Sequence, residues 1–217
     1  MRLVLLGPPG AGKGTQAKEI SKRMSIPHIS TGDMFRQAIK EGTELGKQAE
    51  AYLKEGRLVP DTITIGLIQE RLTMPDTHNG FLLDGFPRTK PQAEALDRWL
   101  DGQGANIDYV LNIEVPREQI LIRLTGRRIC KGCGATYHVQ YNPPQNSGIC
   151  DFCGEKLSQR PDDTETVVSH RLDVYVEQTS LLVKYYREKG ILKEIDGSHD
   201  IPEVTQAIGM ALGSDWR

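Results

Sequence analysis

The stretch GPPGAGKGT, residues 7–15, is the part of the sequence that most strongly indicates the fold of the chain. It follows the phosphate-binding pattern G-x-x-x-x-G-K-[ST], except that Gly14 stands where Ser or Thr usually follows the lysine. An apolar run, RLVLLG (2–7), precedes it and a helical pattern follows it, which is the order of strand, loop and helix that such a loop requires. A glycine-rich turn without a ligand is the alternative interpretation.

The loop composition predicts how an anion would be held. Four glycines are expected to adopt positive φ angles and turn successive backbone N–H groups toward one anion, namely Gly7, Gly10, Gly12 and Gly14. The positive end of the following helix adds to this attraction, and Lys13 is expected to reach the β- and γ-phosphates of a nucleotide. Since Gly14 supplies no hydroxyl, carboxylates must hold any magnesium, in part through its waters.

Short apolar runs alternate with longer helical patterns along the chain. The runs are RLVLLG (2–7), GFLLD (80–84), DYVLNIEV (108–115) and ILKEID (191–196). The helical patterns cover about 13–24, 33–41, 44–55, 61–72, 90–101, 117–126, 163–189 and 202–212. This alternation predicts an α/β fold in which a mostly parallel central sheet is flanked by helices.

Two segments differ in character from this pattern. Residues 30–59 contain two helical patterns and little that resembles a strand, which indicates a helical insert. A Cys-, Gly- and Pro-rich segment before residue 162 indicates a small subdomain. Asp162 with Glu165 resembles a capping box, and apolar residues at three- and four-residue steps after it predict one long helix.

Composition excludes several classes of protein. The chain has 217 residues, 38% of them hydrophobic, which is enough for one substantial core, and no run of about 18 apolar residues could span a bilayer. The net charge of -2 gives no overall attraction to nucleic acid or to an anionic membrane. The start of the chain does not resemble a signal peptide, and we expect a cytoplasmic protein.

All four cysteines lie in one segment. Cys130, Cys133, Cys150 and Cys153 form C-x2-C-x16-C-x2-C, which is the spacing of a two-knuckle metal site. Four thiolates fill the coordination of zinc and leave no open position, so the site is expected to be structural. Two disulfides and a rubredoxin-like iron site are the alternatives.

Two carboxylates are candidates for magnesium. Asp84 ends the apolar run GFLLD, where the carboxyl ends of parallel strands gather ligands. Asp33 follows the short apolar stretch PHIS in a comparable position, and a helix N-cap is the alternative interpretation of this residue.

Several arginines lie near the ends of predicted elements. They are Arg36, Arg88, Arg123, Arg127, Arg160 and Arg171. The planar guanidinium binds phosphate oxygens in pairs, so these residues are suited to anionic substrates, although isolated arginines are usually solvated surface residues. Arg123 and Arg127 would share one helix face if the helix reaches that far.

Three segments together, GPPGAGKGT, HISTGDMFR and LLDGFPRT, resemble the adenylate kinase family of nucleoside monophosphate kinases. The similarity covers essentially the whole chain, including LTGRRIC, the cysteine segment and QRPDD, and it is to the long-lid form. The resemblance implies a core P-loop domain (1–29, 60–126 and 164–217), a helical insert that binds the nucleoside monophosphate (30–59) and a zinc-binding lid (127–163).

The resemblance also implies an activity and a set of roles. The activity is magnesium-dependent, reversible phosphoryl transfer from ATP to AMP, giving two ADP. The implied AMP-binding residues are Thr31, Arg36, Arg57, Leu58, Val59, Gly85, Phe86, Pro87, Arg88, Gln92, Arg160 and Arg171. The implied ATP-binding residues are Gly10, Ala11, Gly12, Lys13, Gly14, Thr15, Arg123, Arg127, Thr136, Tyr137 and His199. The implied catalytic residues are Lys13, Arg88, Arg123, Arg127, Arg160 and Arg171, with Asp33 and Asp84 holding magnesium through water.

Other activities remain open on sequence alone. A kinase with another nucleotide acceptor or donor is the nearest alternative, although the four-cysteine lid and Gln92 favour ATP with AMP. A zinc-ribbon nucleic-acid binder fused to an inactive nucleotide switch is a second alternative, and the mixed charge of the ribbon argues against it. We expect a monomer with small-molecule substrates and with neither nucleic acid nor membrane as a partner.

Overall fold

The computed structural model describes residues 1–216. Its main sheet has five parallel strands in the order β2-β3-β1-β4-β8. These strands are β1 (Arg2–Leu6), β2 (His28–Ser30), β3 (Phe81–Asp84), β4 (Tyr109–Glu114) and β8 (Leu192–Asp196). The predicted α/β class with a parallel sheet is confirmed.

Nine α-helices accompany the sheet within the described residues. They are α1 (Lys13–Met24), α2 (Thr31–Glu41), α3 (Glu44–Glu55), α4 (Asp61–Leu72), α5 (Lys90–Asp101), α6 (Arg117–Thr125), α7 (Glu165–Val174), α8 (Leu181–Glu188) and α9 (Ile201–Leu212). Most lie within two residues of their predicted bounds. None of the helices in residues 1–216 is long and apolar enough to cross a bilayer.

The alternating side chains of β1 divide the core into two layers. Leu3 and Leu5 pack with apolar residues of α1, α6, α7 and α9, whereas Val4 and Leu6 pack with those of α4, α5 and α8. A strand buried on both faces reads as a continuous apolar run, which is why RLVLL shows no alternation in sequence. Helices therefore cover both faces of the sheet.

Two sequence expectations are corrected here, whereas the short apolar stretch PHIS does contain a strand, β2. The helix expected over 163–189 is interrupted by a π-helical turn (Tyr175–Thr179) between α7 and α8. The capping box is wrong, because Asp162 lies in a 3-10 turn (Pro161–Asp163) and Thr164 is the N-cap residue of α7.

Two smaller clusters lie outside the main core. Phe35, Ala49 and Val59 pack together in the helical segment that includes α2 and α3. The cysteine segment forms a separate antiparallel sheet, β6-β5-β7, made of β5 (Arg127–Cys130), β6 (Thr136–His138) and β7 (Leu157–Ser158). The helical segment follows directly after β2, at the carboxyl edge of the main sheet where β1 and β3 also end.

Candidate active site

The glycine-rich loop connects β1 to α1 at this edge of the sheet. Gly7, Gly10 and Gly12 have φ angles of 135°, 84° and 94°, as expected for a backbone that curls around an anion. Gly14 does not share this conformation, because it already lies in the first turn of α1. The prediction of a positive φ at Gly14 was therefore wrong.

Gly14 faces the carboxylate of Asp84. A Cβ atom placed on Gly14 would lie 3.6 Å from Oδ2 of Asp84. A serine or threonine here would direct its side chain into the gap between the loop and the Asp84 carboxylate. Glycine keeps this gap open, and a hydrated cation needs such room because magnesium retains several waters.

Lys13 is the first residue of α1, and its side chain turns back toward the loop. Its Nζ donates hydrogen bonds to the carbonyl oxygens of Gly7 (2.7 Å) and Pro8 (2.8 Å). Burial lowers the pKa of Lys13 from 10.5 to about 8; Asp84 opposes this shift, and the positive charges of Arg88, Arg171 and Arg127 add to it. A cation buried in this way suits an anion-binding site, because a bound anion would stabilise its charge.

Asp84 is held as a carboxylate at the end of β3. Burial alone would raise its pKa, but the hydrogen bond from His28 and the charge of Lys13 outweigh that effect and lower it. His28 Nε2 lies 3.4 Å from Asp84 Oδ2. His28, which was not recognised from the sequence, comes from β2, and parallel pairing of β2 with β3 brings the two residues together.

Several arginines form a self-repelling cluster with Lys13, in which Arg88, Arg127 and Arg171 act on Lys13 and Arg160 joins through Arg127. Burial, followed by repulsion from neighbouring arginines, lowers the pKa of Arg88 and of Arg160 to about 10 each. Burial also lowers the pKa of Arg171. The Nε atom of Arg160 is buried and has no hydrogen-bond partner among residues 1–216. Such a cluster suits a polyanion, because phosphate oxygens would supply the missing charge and hydrogen-bond acceptors.

Two aspartates that sequence reasoning did not assign to the site orient part of this cluster. Asp163 is fully buried and accepts from Nε (2.8 Å) and Nη2 (2.5 Å) of Arg127. Arg171 Nη1 lies 2.9 Å from Asp162 Oδ2 and 3.4 Å from Asp163 Oδ1. The only signal in the sequence was an acidic pair directly after Arg160 and Pro161.

Arg127 reaches the cluster from a different element than expected. The helix ends at Thr125, so Arg127 lies in β5 and does not share a helix face with Arg123. Arg123 Nη2 instead donates to the carbonyl oxygen of Ser198 (3.4 Å), beside the exposed His199. These two predicted ATP contacts, Arg123 and His199, therefore lie close together, although they are 76 positions apart in the chain.

Asp33 pairs with arginines in this structure. Its Oδ1 accepts from Arg36 Nη2 at 2.6 Å and lies 3.8 Å from Arg160 Nη2. The N-cap interpretation of Asp33 is wrong, because Ser30 is the cap residue and its side chain accepts from the Asp33 N–H group. The charges of Arg36 and Arg160 outweigh the effect of burial and lower the pKa of Asp33.

The loop after β3 joins the residues expected to bind AMP. Thr31 Oγ1 and Arg88 Nε both donate to the Gly85 carbonyl oxygen, at 2.8 and 2.9 Å. Gln92 is buried and accepts from the Arg88 N–H group at 2.7 Å. The other residues of the predicted AMP-binding set do not take part in these hydrogen bonds. Phe86, Pro87 and Val59 are buried, and Leu58 is half-buried. The Arg57 side chain contacts Glu55 and Tyr52.

The predicted ATP contacts of the cysteine segment differ in exposure. Thr136 is exposed at the start of β6. Tyr137 is 4% exposed, and its hydroxyl accepts from the Asp151 N–H group (2.8 Å) and lies 3.5 Å from Cys150 Sγ. The Tyr137 side chain therefore packs inside the cysteine segment, so any contact between Tyr137 and a nucleotide would be made by the Tyr137 backbone.

The four cysteines converge as a metal site requires. Their Sγ atoms all lie within 4.8 Å of one another, with Cys130 and Cys153 at 3.3 Å and Cys133 and Cys150 at 3.5 Å. Four thiolates bonded at about 2.3 Å to a tetrahedral ion would lie about 3.8 Å apart, so the set fits zinc. All four cysteines are free thiols, which contradicts the alternative of two disulfides.

The two cysteine pairs have matching backbones. In each, the glycine after the second cysteine donates to the carbonyl oxygen of the first, from Gly134 to Cys130 (3.0 Å) and from Gly154 to Cys150 (2.9 Å). Both glycines have a φ of 73°. The same turn is thus built twice, and it turns both thiols of each pair toward a common centre.

Comparison with known proteins agrees with this geometry. A family model described as adenylate kinase matches residues 5–191. A protein named adenylate kinase from Moorella thermoacetica is 69% identical over 217 residues, covering the whole of both chains. Proteins of the same name from Carboxydothermus hydrogenoformans and Clostridium botulinum strain Langeland are 58% and 57% identical, each over at least 98% of both chains. The chain belongs to the adenylate kinase family.

Proposed function

We propose that this chain catalyses the magnesium-dependent, reversible transfer of the γ-phosphoryl group of ATP to AMP, giving two ADP. The observation that carries the proposal is a cluster of mutually repelling cations next to the glycine-rich loop, in which, besides burial, Arg88, Arg171 and Arg127 lower the pKa of Lys13 and Arg127 lowers that of Arg160. A site built from buried, mutually repelling cations suits a reaction that must bring two anionic nucleotides together. Membership of the adenylate kinase family agrees with this activity.

On the donor side, the loop from Gly10 to Thr15 binds the ATP phosphates through its backbone, and Lys13 releases its two carbonyl partners to reach them. Arg123 and His199 flank the adenine, which is supported by the contact between Arg123 and the Ser198 carbonyl oxygen. Thr136 and Tyr137 complete the donor site. Since the Tyr137 side chain is buried, we assign its contact to the backbone.

On the acceptor side, Arg36 and Arg88 hold the AMP phosphate. Thr31, Gln92 and the backbone of residues 57–59 and 85–88 hold the nucleoside. The bond between Thr31 and the Gly85 carbonyl oxygen supports this assignment, because it links the two segments that would enclose AMP.

Magnesium fits the gap beside Asp84. The lowered pKa keeps this carboxylate ionised, and Gly14 leaves room for a hydrated ion next to the loop. When bound, magnesium neutralises charge on the ATP phosphates. Asp33 is proposed to hold a water of the same ion, which requires it to exchange its contact with Arg36 for that water.

Positioning then supplies most of the catalysis. An oxygen of the AMP phosphate attacks the γ-phosphorus in line, the bond to the β-phosphate oxygen of ATP breaks, and that oxygen leaves on ADP. Arg160, Arg171 and Arg127 contact the transferring group, and Asp162 and Asp163 fix the directions of Arg127 and Arg171.

The cysteine segment is proposed to be a zinc-stabilised lid over residues 127–163, and residues 30–59 to be the AMP-binding insert. Each has its own small cluster of buried residues, distinct from the main core clusters of the remaining segments (1–29, 60–126 and 164–217), although Ile63 and Leu67 of α4 pack against the cluster of the insert. Closure of the lid would exclude water, which otherwise competes with AMP for the phosphoryl group. We propose that the metal is zinc, and that its role is structural because four thiolates leave no open coordination position. We also propose a cytoplasmic monomer that binds neither nucleic acid nor membranes.

The test is a panel of acceptors. Purified protein is incubated with Mg-ATP and AMP, GMP, UMP or CMP in turn, each with and without excess EDTA, and the nucleotides are separated by chromatography. We expect rapid ADP formation with AMP, abolished by EDTA, and little with the other three. Absence of transfer to any acceptor by folded, metal-loaded protein would overturn the proposal.

A further inference from the structure

A ring of hydrogen bonds joins the first turn of α4 to the first turn of α5. Gln92 Oε1 accepts from the Arg88 N–H group, and Gln92 Nε2 donates to Asp61 Oδ1, both at 2.7 Å. The other oxygen of Asp61, Oδ2, accepts from Thr89 Oγ1 at 2.9 Å. Thr89 Oγ1 in turn accepts from the Gln92 N–H group at 3.3 Å. Gln92 is 1% exposed, so this ring is shielded from water.

The chemistry of the partners fixes the direction of the Gln92 amide. A backbone N–H group can only donate a hydrogen bond, and an ionised carboxylate can only accept one. Rotating the amide by 180° would set Nε2 against the Arg88 N–H group and Oε1 against Asp61, so both bonds would be replaced by repulsion. In the observed orientation, Nε2 keeps one unused hydrogen and Oε1 keeps one unused lone pair.

We propose that Asp61 is a positioning residue that selects adenine as the acceptor base, by locking the orientation of Gln92. This inference rests on the proposed function, in which Gln92 contacts AMP. The Watson–Crick edge of adenine presents a donor, the N6 amino group, next to an acceptor, N1. Oε1 and Nε2 of the locked amide complement this pair.

Guanine presents the opposite order at the same edge, with O6 as the acceptor and N1–H as the donor. With the ribose and phosphate held by Arg88 and its loop, guanine could pair with Gln92 only if the amide turned over. Asp61 opposes that rotation, because its carboxylate would then face Oε1. Sites that leave buried polar groups unpaired reject the wrong ligand strongly.

Asp61→Asn tests the lock at constant size. An asparagine amide can present either a donor or an acceptor to Gln92, so both orientations of Gln92 become accessible. We expect the ratio of kcat/KM for AMP to kcat/KM for GMP to fall by about tenfold or more, as expected for loss of one well-placed polar discrimination. Most of the change should be a rise in KM for AMP, with KM for ATP unchanged. Asp76→Asn is the matched control, because Asp76 pairs with Arg71 beyond the other end of α4 and does not contact the ring.

A second measurement avoids mutation. Wild-type protein is given inosine monophosphate, which has the guanine order of donor and acceptor, and purine riboside monophosphate, which keeps N1 as an acceptor and lacks the amino group. A locked amide predicts that the purine riboside compound is the better acceptor. If Asp61→Asn does not fold, this comparison alone tests whether the Gln92 amide is locked.

Three results would overturn the inference. They are an equal loss of kcat/KM for AMP and GMP in Asp61→Asn, a change in KM for ATP as large as that for AMP, and inosine monophosphate serving as well as AMP. Failure of the proposed function would look different, since the wild-type protein would then not phosphorylate AMP at all.

Discussion

Replacing Lys13 with methionine should make the nucleotide-free protein more stable while removing most of its activity. The pKa of Lys13 falls from 10.5 to about 8 on folding because the ammonium group is buried near other cations. A pKa lowered from 10.5 to about 8 corresponds to about 3 kcal/mol of cost for burying the charge at neutral pH. Methionine would also lose the hydrogen bonds to Gly7 and Pro8, which costs about 1–2 kcal/mol, so the free energy of unfolding should rise by about 1–2 kcal/mol in total.

The pH dependence gives the prediction its sign. Between pH 8 and 10.5 the unfolded chain binds more protons at Lys13 than the folded chain does, so the stability of the wild-type protein rises with pH in this window. The cost of the charge is fully present below pH 8 and is lost by pH 10.5. The advantage of Lys13→Met should therefore be largest at pH 7 and shrink at pH 9.5.

Urea unfolding followed by circular dichroism, without nucleotide, measures both quantities. Lys18→Met is the matched control, because Lys18 is exposed on the same helix and its removal should change the free energy of unfolding by less than about 0.5 kcal/mol. The kcat of Lys13→Met should fall by about 10²–10³-fold, the usual effect of removing one preorganised donor to a reacting group. A Lys13→Met protein that is less stable than wild type at pH 7, or a stability difference that does not vary with pH, would refute the reasoning.

Four further predictions concern other parts of the site. The double variant Cys130→Ser, Cys133→Ser should lower the thermal midpoint by about 5 °C or more but keep most of the turnover at 20 °C, because the metal stabilises the fold of the lid and touches no substrate. Calorimetry and activity assays on the same samples test this. A folded but inactive variant would contradict it. Asp163→Asn should reduce the free energy of unfolding by about 3 kcal/mol, measured in urea, and should also lower kcat, because it leaves two half-buried arginines, Arg127 and Arg171, short of a counter-charge; normal values of both would count against this role. Gly14→Ser should raise the magnesium concentration needed for half-maximal rate, measured by titration at fixed ATP, and an unchanged requirement would argue against the open gap. The kcat/KM for Mg-ATP should decline above about pH 8 as Lys13 of the free enzyme loses its proton, and a flat profile to pH 10 would exclude that ionisation.

The sequence was most informative where chemistry is local. Strand, loop and helix around Lys13 follow from a continuous apolar run, spaced glycines and helical periodicity, all within a few residues. The cysteine site follows from spacing alone, because two residues between cysteines already set the turn that directs both thiols to one ion. Helix bounds were close for the same reason.

The sequence was least informative where distant segments meet. The role of Asp163 depends on β5 bringing Arg127 beside it, and the role of His28 depends on a three-residue strand pairing with β3. The ring around Gln92 joins residues about 30 positions apart, and nothing in the spacing of Asp61 marks it. Gly14 was misread because the pattern shows that a glycine is present but not whether backbone conformation or space requires it.

The central claim is that one site passes a phosphoryl group between two bound nucleotides and not to water. The most direct test supplies Mg-ADP alone and follows the products by phosphorus NMR. The account predicts that ATP and AMP appear in equal amounts until equilibrium is reached, with no inorganic phosphate and no reaction in excess EDTA. Release of phosphate with accumulation of AMP, or no conversion of ADP by folded protein, would contradict it.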